Sequence, residues 1–126
     1  MDKILIADDD RELGDILREE LVDYGYNVDV VDNGADAIAR LKQNGYQLAI
    51  VDIRMPKVDG FGVLKFVREE KPDVKIIMLT AYADLRHAVM SQSGGADDFM
   101  TKPYNIEIMH YTIQRLLKES KQGKTQ

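Results

Sequence analysis

No cysteine occurs among the 126 residues, so neither a disulfide framework nor a thiolate zinc site is available, and nothing argues for an oxidising compartment. An apolar run of ~20 residues that could span a bilayer is also missing. So is the charged start, apolar stretch and small-residue cleavage site of a secretory leader. A cytoplasmic protein without membrane contact is the expectation. There is no basic stripe: 17 Lys and Arg stand against 22 Asp and Glu, a net charge of −5, which argues against direct nucleic-acid binding by this segment. Histidine is sparse, and His87 and His110 lie apart on helical segments, where surface or packing roles suit them better than catalysis. With 44% hydrophobic and 31% charged residues, the chain suits one compact domain with its own core. That domain is expected over residues 1–119, with the polar stretch 120–126 as a frayed tail or the start of a linker.

What the chain does have is an alternation of short β-type runs with longer helical ones. Ile4–Ala7 reads as an apolar strand, followed by Leu13, Ile16, Leu17 and Leu21 at helical spacing until Tyr24 and Gly25. Val28–Val31 is a short strand, and a helix over Ala35–Lys42 stops at Asn44 and Gly45. Leu48–Val51 is apolar throughout, as a central parallel strand covered on both faces requires. A helix through Phe61, Leu64 and Val67 ends before Pro72, and Ile76–Leu79 is again continuously apolar. A weak helix over Asp84–Ser93 runs into Gly94 and Gly95, the latter equally suited to a C-terminal cap. Phe99–Thr101 makes a last strand, and Asn105 caps a closing helix to Lys118. Five βα units in a row predict an α/β fold, a doubly wound three-layer sandwich around a parallel sheet.

If the apolar runs are strands of one sheet, Asp8–Asp10, Asp52, Thr80 and Lys102 all land at its carboxyl edge, where open α/β sheets place ligands. Unpaired carboxylates gathered there repel one another unless a cation neutralises them. A hard divalent ion answers that problem, and Mg2+ fits best. Of the three consecutive acids, Asp8 and Asp9 are nearest the strand end, while Asp10 is placed to cap the helix that begins near Arg11. A hydroxyl on Thr80 and an ammonium on Lys102 complement a phosphoryl group. Asp52, ending a buried strand with no cationic neighbour in sequence, is the candidate nucleophile.

These residues resemble the receiver domain of a two-component response regulator, in the CheY-like superfamily. The likeness runs from Lys3-Ile-Leu-Ile-Ala-Asp-Asp-Asp10 through Val51-Asp-Ile-Arg-Met-Pro-Lys-Val-Asp-Gly60 and Leu79-Thr-Ala81 to Gly95-Ala-Asp-Asp-Phe-Met-Thr-Lys-Pro103. It implies a five-stranded parallel sheet of flavodoxin-like order 2-1-3-4-5. It also implies Asp52 as phosphoacceptor, Asp8 and Asp9 as metal acids with Asp52, and the Arg54 carbonyl as a further Mg2+ ligand. Thr80 and Lys102 would contact the phosphoryl group, Thr80 and Phe99 would act as the switch pair, and Lys102-Pro103 falls where such domains commonly carry a cis peptide. The implied partner is a sensor histidine kinase or phosphotransfer protein. The implied output face comprises the fourth helix, the last strand and the last helix. The implied role is a phosphorylatable signalling switch, not a turnover enzyme. Arg54 and Tyr82, each two positions past a site residue, stand where such domains tune phosphoryl lifetime; both are bulky, which predicts a long-lived aspartyl phosphate.

On the closing helix, Ile106, Met109, Ile113 and Leu116 follow one stripe, and Ile108, Tyr111 and Arg115 fall on the other side. Ile108 and Tyr111, with Phe99, form a candidate partner or homodimer patch, although scattered surface apolar residues are also ordinary. The helix lacks an Arg-rich pattern, Thr112 standing where an Arg is typical, and Asn-Ile-Glu after Tyr104 looks more like receivers of enhancer-binding regulators or stand-alone relays. The rival reading is a haloacid dehalogenase-like phosphatase. Asp8 and Asp10 form its Asp-x-Asp pair, but Glu12 replaces the expected Thr or Val, and Asp52 would have no job. A flavin-phosphate module would need a hydroxyl- and glycine-rich loop where this chain has acids.

Overall fold

A computed structural model describes residues 2–43, 45–81 and 94–124. In chain order these form β1 (Lys3–Ala7), α1 (Arg11–Asp23), β2 (Asn27–Val31), α2 (Gly34–Lys42), β3 (Leu48–Asp52), α3 (Gly60–Glu70), β4 (Lys75–Ala81), β5 (Asp98–Lys102) and α4 (Ile106–Lys124). The strands make one parallel sheet in the order β2-β1-β3-β4-β5. The helix expected over 84–93 lies outside the described residues, as do Tyr82 and His87.

Strand alternation builds the two core layers. Leu5 and Ala7, Ala49 and Val51, and Ile76 and Met78 pack with Ala37 and Leu41 of α2 and Val63, Leu64 and Val67 of α3. Their neighbours Ile4 and Ile6, Leu48 and Ile50, and Ile77 and Leu79 pack with Leu17 and Leu21 of α1 and Met109, Ile113 and Leu116 of α4. Successive side chains point to opposite faces of a strand, so continuously apolar β1, β3 and β4 feed both layers at once.

Each described helix start is capped by the residue type expected for it. Asp10 accepts from the Leu13 amide, Asn33 from Asp36, Asp59 from Gly62 and Asn105 from Ile108, and losing such a cap costs about 1 kcal/mol. On α4 the stripe of Met109, Ile113 and Leu116 is buried, while Ile108 and Tyr111 are 56% and 66% exposed. The helix passes the expected end at Lys118 and reaches Lys124, so the polar segment from residue 120 begins as helix. On α1 only Leu17 and Leu21 enter the core; Leu13 and Ile16 are exposed. Among the described residues, no helix is long and apolar enough to cross a membrane.

Candidate functional site

The alternation that builds the core also gathers the polar residues at the sheet's carboxyl edge. Ile4 and Ile6 of β1, Leu48 and Ile50 of β3, and Met100 of β5 belong to the α1/α4 side. Asp8, Asp52 and Lys102 continue that phase at the strand ends. They meet: Lys102 Nζ lies 2.8 Å from Asp8 Oδ2 and 3.0 Å from Asp52 Oδ2. Both carboxylates are buried, at 3% and 7% exposure. Asp9 joins them from a more open position, and carboxylate oxygens of Asp8, Asp9 and Asp52 lie within 4.8 Å of one another. Asp10 is turned to its capping role, its amide donating to Asp8 Oδ1 at 2.9 Å.

Thr80 and Phe99 share the other face. Phe99 packs against the α2/α3 core, to which Ile76 and Met78 belong, and Thr80 follows Met78 in phase. Met78 pairs with Phe99, Thr80 with Thr101, and Asp52 with Leu79. Thr80 thus stands one residue past the level of Asp52, fully buried, its hydroxyl donating to the Ala81 carbonyl at 3.3 Å. The Arg54 amide donates to Asp52 Oδ1 at 3.2 Å, so the loop after β3 is tied back to the acid. His110 takes a packing position, its ring stacked on Tyr24 with centroids 3.8 Å apart.

Burial pushes the Asp52 carboxyl up to about 6; Asp8 adds to that, and Lys102 and the Arg54 amide oppose it. Burial works against the charge on Lys102, but its hydrogen bonds to Asp8 and Asp52 outweigh that and raise its pKa. Three carboxylates around one ammonium leave negative charge uncompensated, and every available donor is a hard oxygen. That donor set fits Mg2+.

Two neighbours are not evident from strand-end spacing. Tyr104 donates to Glu20 on α1 at 2.6 Å, bridging α1 to the segment after β5; burial, then Glu20, raises its pKa. Beneath it opens a cavity of about 310 Å³ lined by Asp8, Leu13, Leu17, Leu79, Lys102, Pro103 and Tyr104. The exposure of Leu13 beside that cavity is the trait its helical spacing could not announce. Lys102-Pro103 is cis, as the resemblance implied.

Residues 4–114 match the family described as the response regulator receiver domain. The chain belongs to that family. This receiver domain is 37% identical over 115 residues to the probable transcriptional regulator ycf27 of Cyanidium caldarium, across 91% of this chain and 46% of that protein. It is 31% identical over 121 residues to the transcriptional regulatory protein PcoR of Escherichia coli, across 96% of this chain and 54% of that protein. The chain therefore spans about half the length of these curated relatives. Among solved structures, it superposes on a CheY-like receiver domain from Methanospirillum hungatei with a TM-score of 0.92, 31% identity and 98% coverage of both chains. On TrrA of Thermotoga maritima, solved in complex with Mg2+ and BeF, the TM-score is 0.83 at 35% identity, covering 92% of this chain and 99% of that one. As a two-component receiver domain, the chain is a signalling switch, and the phosphatase reading is not favoured.

Proposed function

We propose that this receiver domain takes a phosphoryl group from a sensor histidine kinase or phosphotransfer protein onto Asp52. The observation that carries the reading is the shared ammonium: Lys102 Nζ hydrogen-bonds Asp52 at 3.0 Å and pairs with Asp8 at 2.8 Å, both acids being buried. A carboxylate oxygen of Asp52 attacks phosphorus, a P–O bond forms, and the P–N bond to the donor imidazole breaks with its electrons leaving on nitrogen. Lys102 exchanges its contact with Asp52 for one with a phosphoryl oxygen, offsetting charge on the transferred group. Mg2+, held by Asp8, Asp9, Asp52 and the Arg54 carbonyl, supplies the rest of that neutralisation when bound.

The Thr80 hydroxyl then donates to the phosphoryl group, and the inward shift of Thr80 draws Phe99 into the space it leaves. This biases a pre-existing equilibrium, and the common face and neighbouring register of Thr80 and Phe99 support the coupling. Output passes through β5, α4 and the segment 84–93, which lies outside the described residues, to an effector or a second copy, with Phe99, Ile108 and Tyr111 as the contact patch. The bulk of Arg54 and Tyr82, each two positions past a site residue, is expected to prolong the phosphoryl group's life. The working unit is the receiver domain of residues 1–119 in the cytoplasm, beyond which α4 continues as polar helix to Lys124.

Acetyl phosphate with and without Mg2+, repeated on Asp52→Asn, tests this. The expected result is one acid-labile phosphoryl group per chain that requires Mg2+ and is lost in the variant. Steady multiple turnover of a generic phosphate ester would favour the phosphatase instead.

A further inference from the structure

Gly34 opens α2, a helix that contributes no side chain to the acid cluster. A Cβ added there would overlap the carbonyl of Val58 and stand 2.7 Å from the Val58 Cβ. Gly62 closes on the same residue from α3: its added Cβ would stand 2.5 Å from Val58 Cγ1. Neither glycine is among those with positive φ, so space, not backbone conformation, excludes a side chain at both positions. Val58 is thereby gripped between the first turns of two helices, and it packs against the α2/α3 core.

Val58 belongs to the loop that follows Asp52. Its amide donates to Pro56 O at 2.8 Å, and the Gly60 amide donates to Ile53 O at 2.8 Å, closing the loop on itself. At that closure a Cβ on Gly60 would overlap the Asp52 carbonyl and stand 2.8 Å from Ile53 Cα. The loop is thus held where Gly60 closes on Asp52 and Ile53 and again at Val58, with Arg54 between Ile53 and Val58 and its amide on Asp52. The start of α2 is firm: buried Asn33 accepts from the Asp36 amide at 2.8 Å and donates to Asp32 at 2.9 Å and Asp36 at 3.0 Å. A methyl group on residue 34 has to displace either this capped helix start or the loop, and close-packed contacts pass such a displacement on.

We infer that Gly34 is a positioning residue for the Mg2+ seat: by letting Val58 lie directly against α2, it holds the loop that presents the Arg54 carbonyl. This rests on the assignment of that carbonyl as a metal ligand. Calorimetric titration of the whole chain with Mg2+, at a temperature where each protein is folded, tests it on the native chain, Gly34→Ala, Val58→Ala and Leu41→Ala. Leu41 is fully buried on the same helix, so its truncation reports destabilisation alone. Gly34→Ala is expected to weaken Mg2+ binding about tenfold, as loss of a metal site's outer support does. Val58→Ala weakens it in the same direction, and Leu41→Ala leaves it native. A Gly34→Ala protein that binds Mg2+ as Leu41→Ala does overturns the inference. If Gly34→Ala fails to fold, native affinity in Gly62→Ala, whose added Cβ presses on Val58 Cγ1 from α3, overturns it. Absence of Mg2+ binding by the native chain overturns the metal assignment and this inference with it.

Discussion

Asp52 is the residue whose environment is most at odds with its charge. Its carboxyl titrates near 6 because burial disfavours the anion more than Lys102 and the Arg54 amide favour it. A folded-state pKa raised above the unfolded value of 3.8 means that the native state holds the proton more tightly. The stability this group contributes is therefore fully present below about pH 4 and lost as pH rises through about 6. Asp52→Asn is accordingly expected to stabilise the metal-free domain at pH 7, with the gain shrinking between pH 6 and 4. Urea unfolding midpoints across that range check it, and a gain independent of pH contradicts it. Lys102 acts on charge that develops during transfer. Lys102→Met is expected to slow phosphorylation by acetyl phosphate about 10²-fold while leaving the fold intact, as single-turnover labelling beside a thermal melt will read.

At the scale of elements, Asp97 clasps three of them. Its Oδ2 accepts from Arg68 Nη2 on α3 and from the Ile76 amide of β4, both at 2.7 Å, and its own amide donates to Ile76 O at 2.9 Å just before β5 begins. The same guanidinium donates to the Pro72 and Val74 carbonyls at 3.2 and 3.4 Å. Asp97→Ala takes the carboxylate partner from a partly buried guanidinium and the acceptor from a strand amide, which is expected to cost about 2–4 kcal/mol in urea unfolding. A cost under about 0.5 kcal/mol, the usual range for surface changes, would refute the clasp. Elements of this kind were legible in outline. The apolar runs ended at the acids, hydroxyl and ammonium that the sheet does gather, because period-2 alternation carries a strand's phase to its last residue. The caps at Asp10 and Asn105 were equally legible, being local chemistry. The Asp97 clasp, the Tyr104–Glu20 bridge and the close approach of Gly34 to Val58 were not, since each joins segments distant in sequence. Helical spacing likewise set Leu13 and Ile16 beside Leu17 and Leu21, but how much of that stripe the sheet covers depends on how the helix seats.

For the whole molecule, signalling requires that events at the buried acids reach a surface another protein can touch. Ile108 and Tyr111 stand exposed on α4, while Arg115 Nη2 is held within the chain by Asp98 at 2.8 Å and Thr112 bonds back to Ile108 O at 3.0 Å. Ile108 and Tyr111 are thus the large hydrophobic side chains that the described part of α4 offers to a partner. Tyr111→Glu is expected to abolish phosphorylation-dependent association without changing the labelling of Asp52; association surviving in light scattering would remove the patch from the account. Mapping the modification identifies the phosphoryl acceptor directly. Trypsin releases residues 43–54, in which Asp52 is the sole acid, apart from residues 4–11, which hold Asp8, Asp9 and Asp10. After phosphorylation and borohydride reduction of the acyl phosphate, mass spectrometry should find the reduced residue in the 43–54 peptide alone. Reduction in the 4–11 peptide, with 43–54 untouched, would contradict the account.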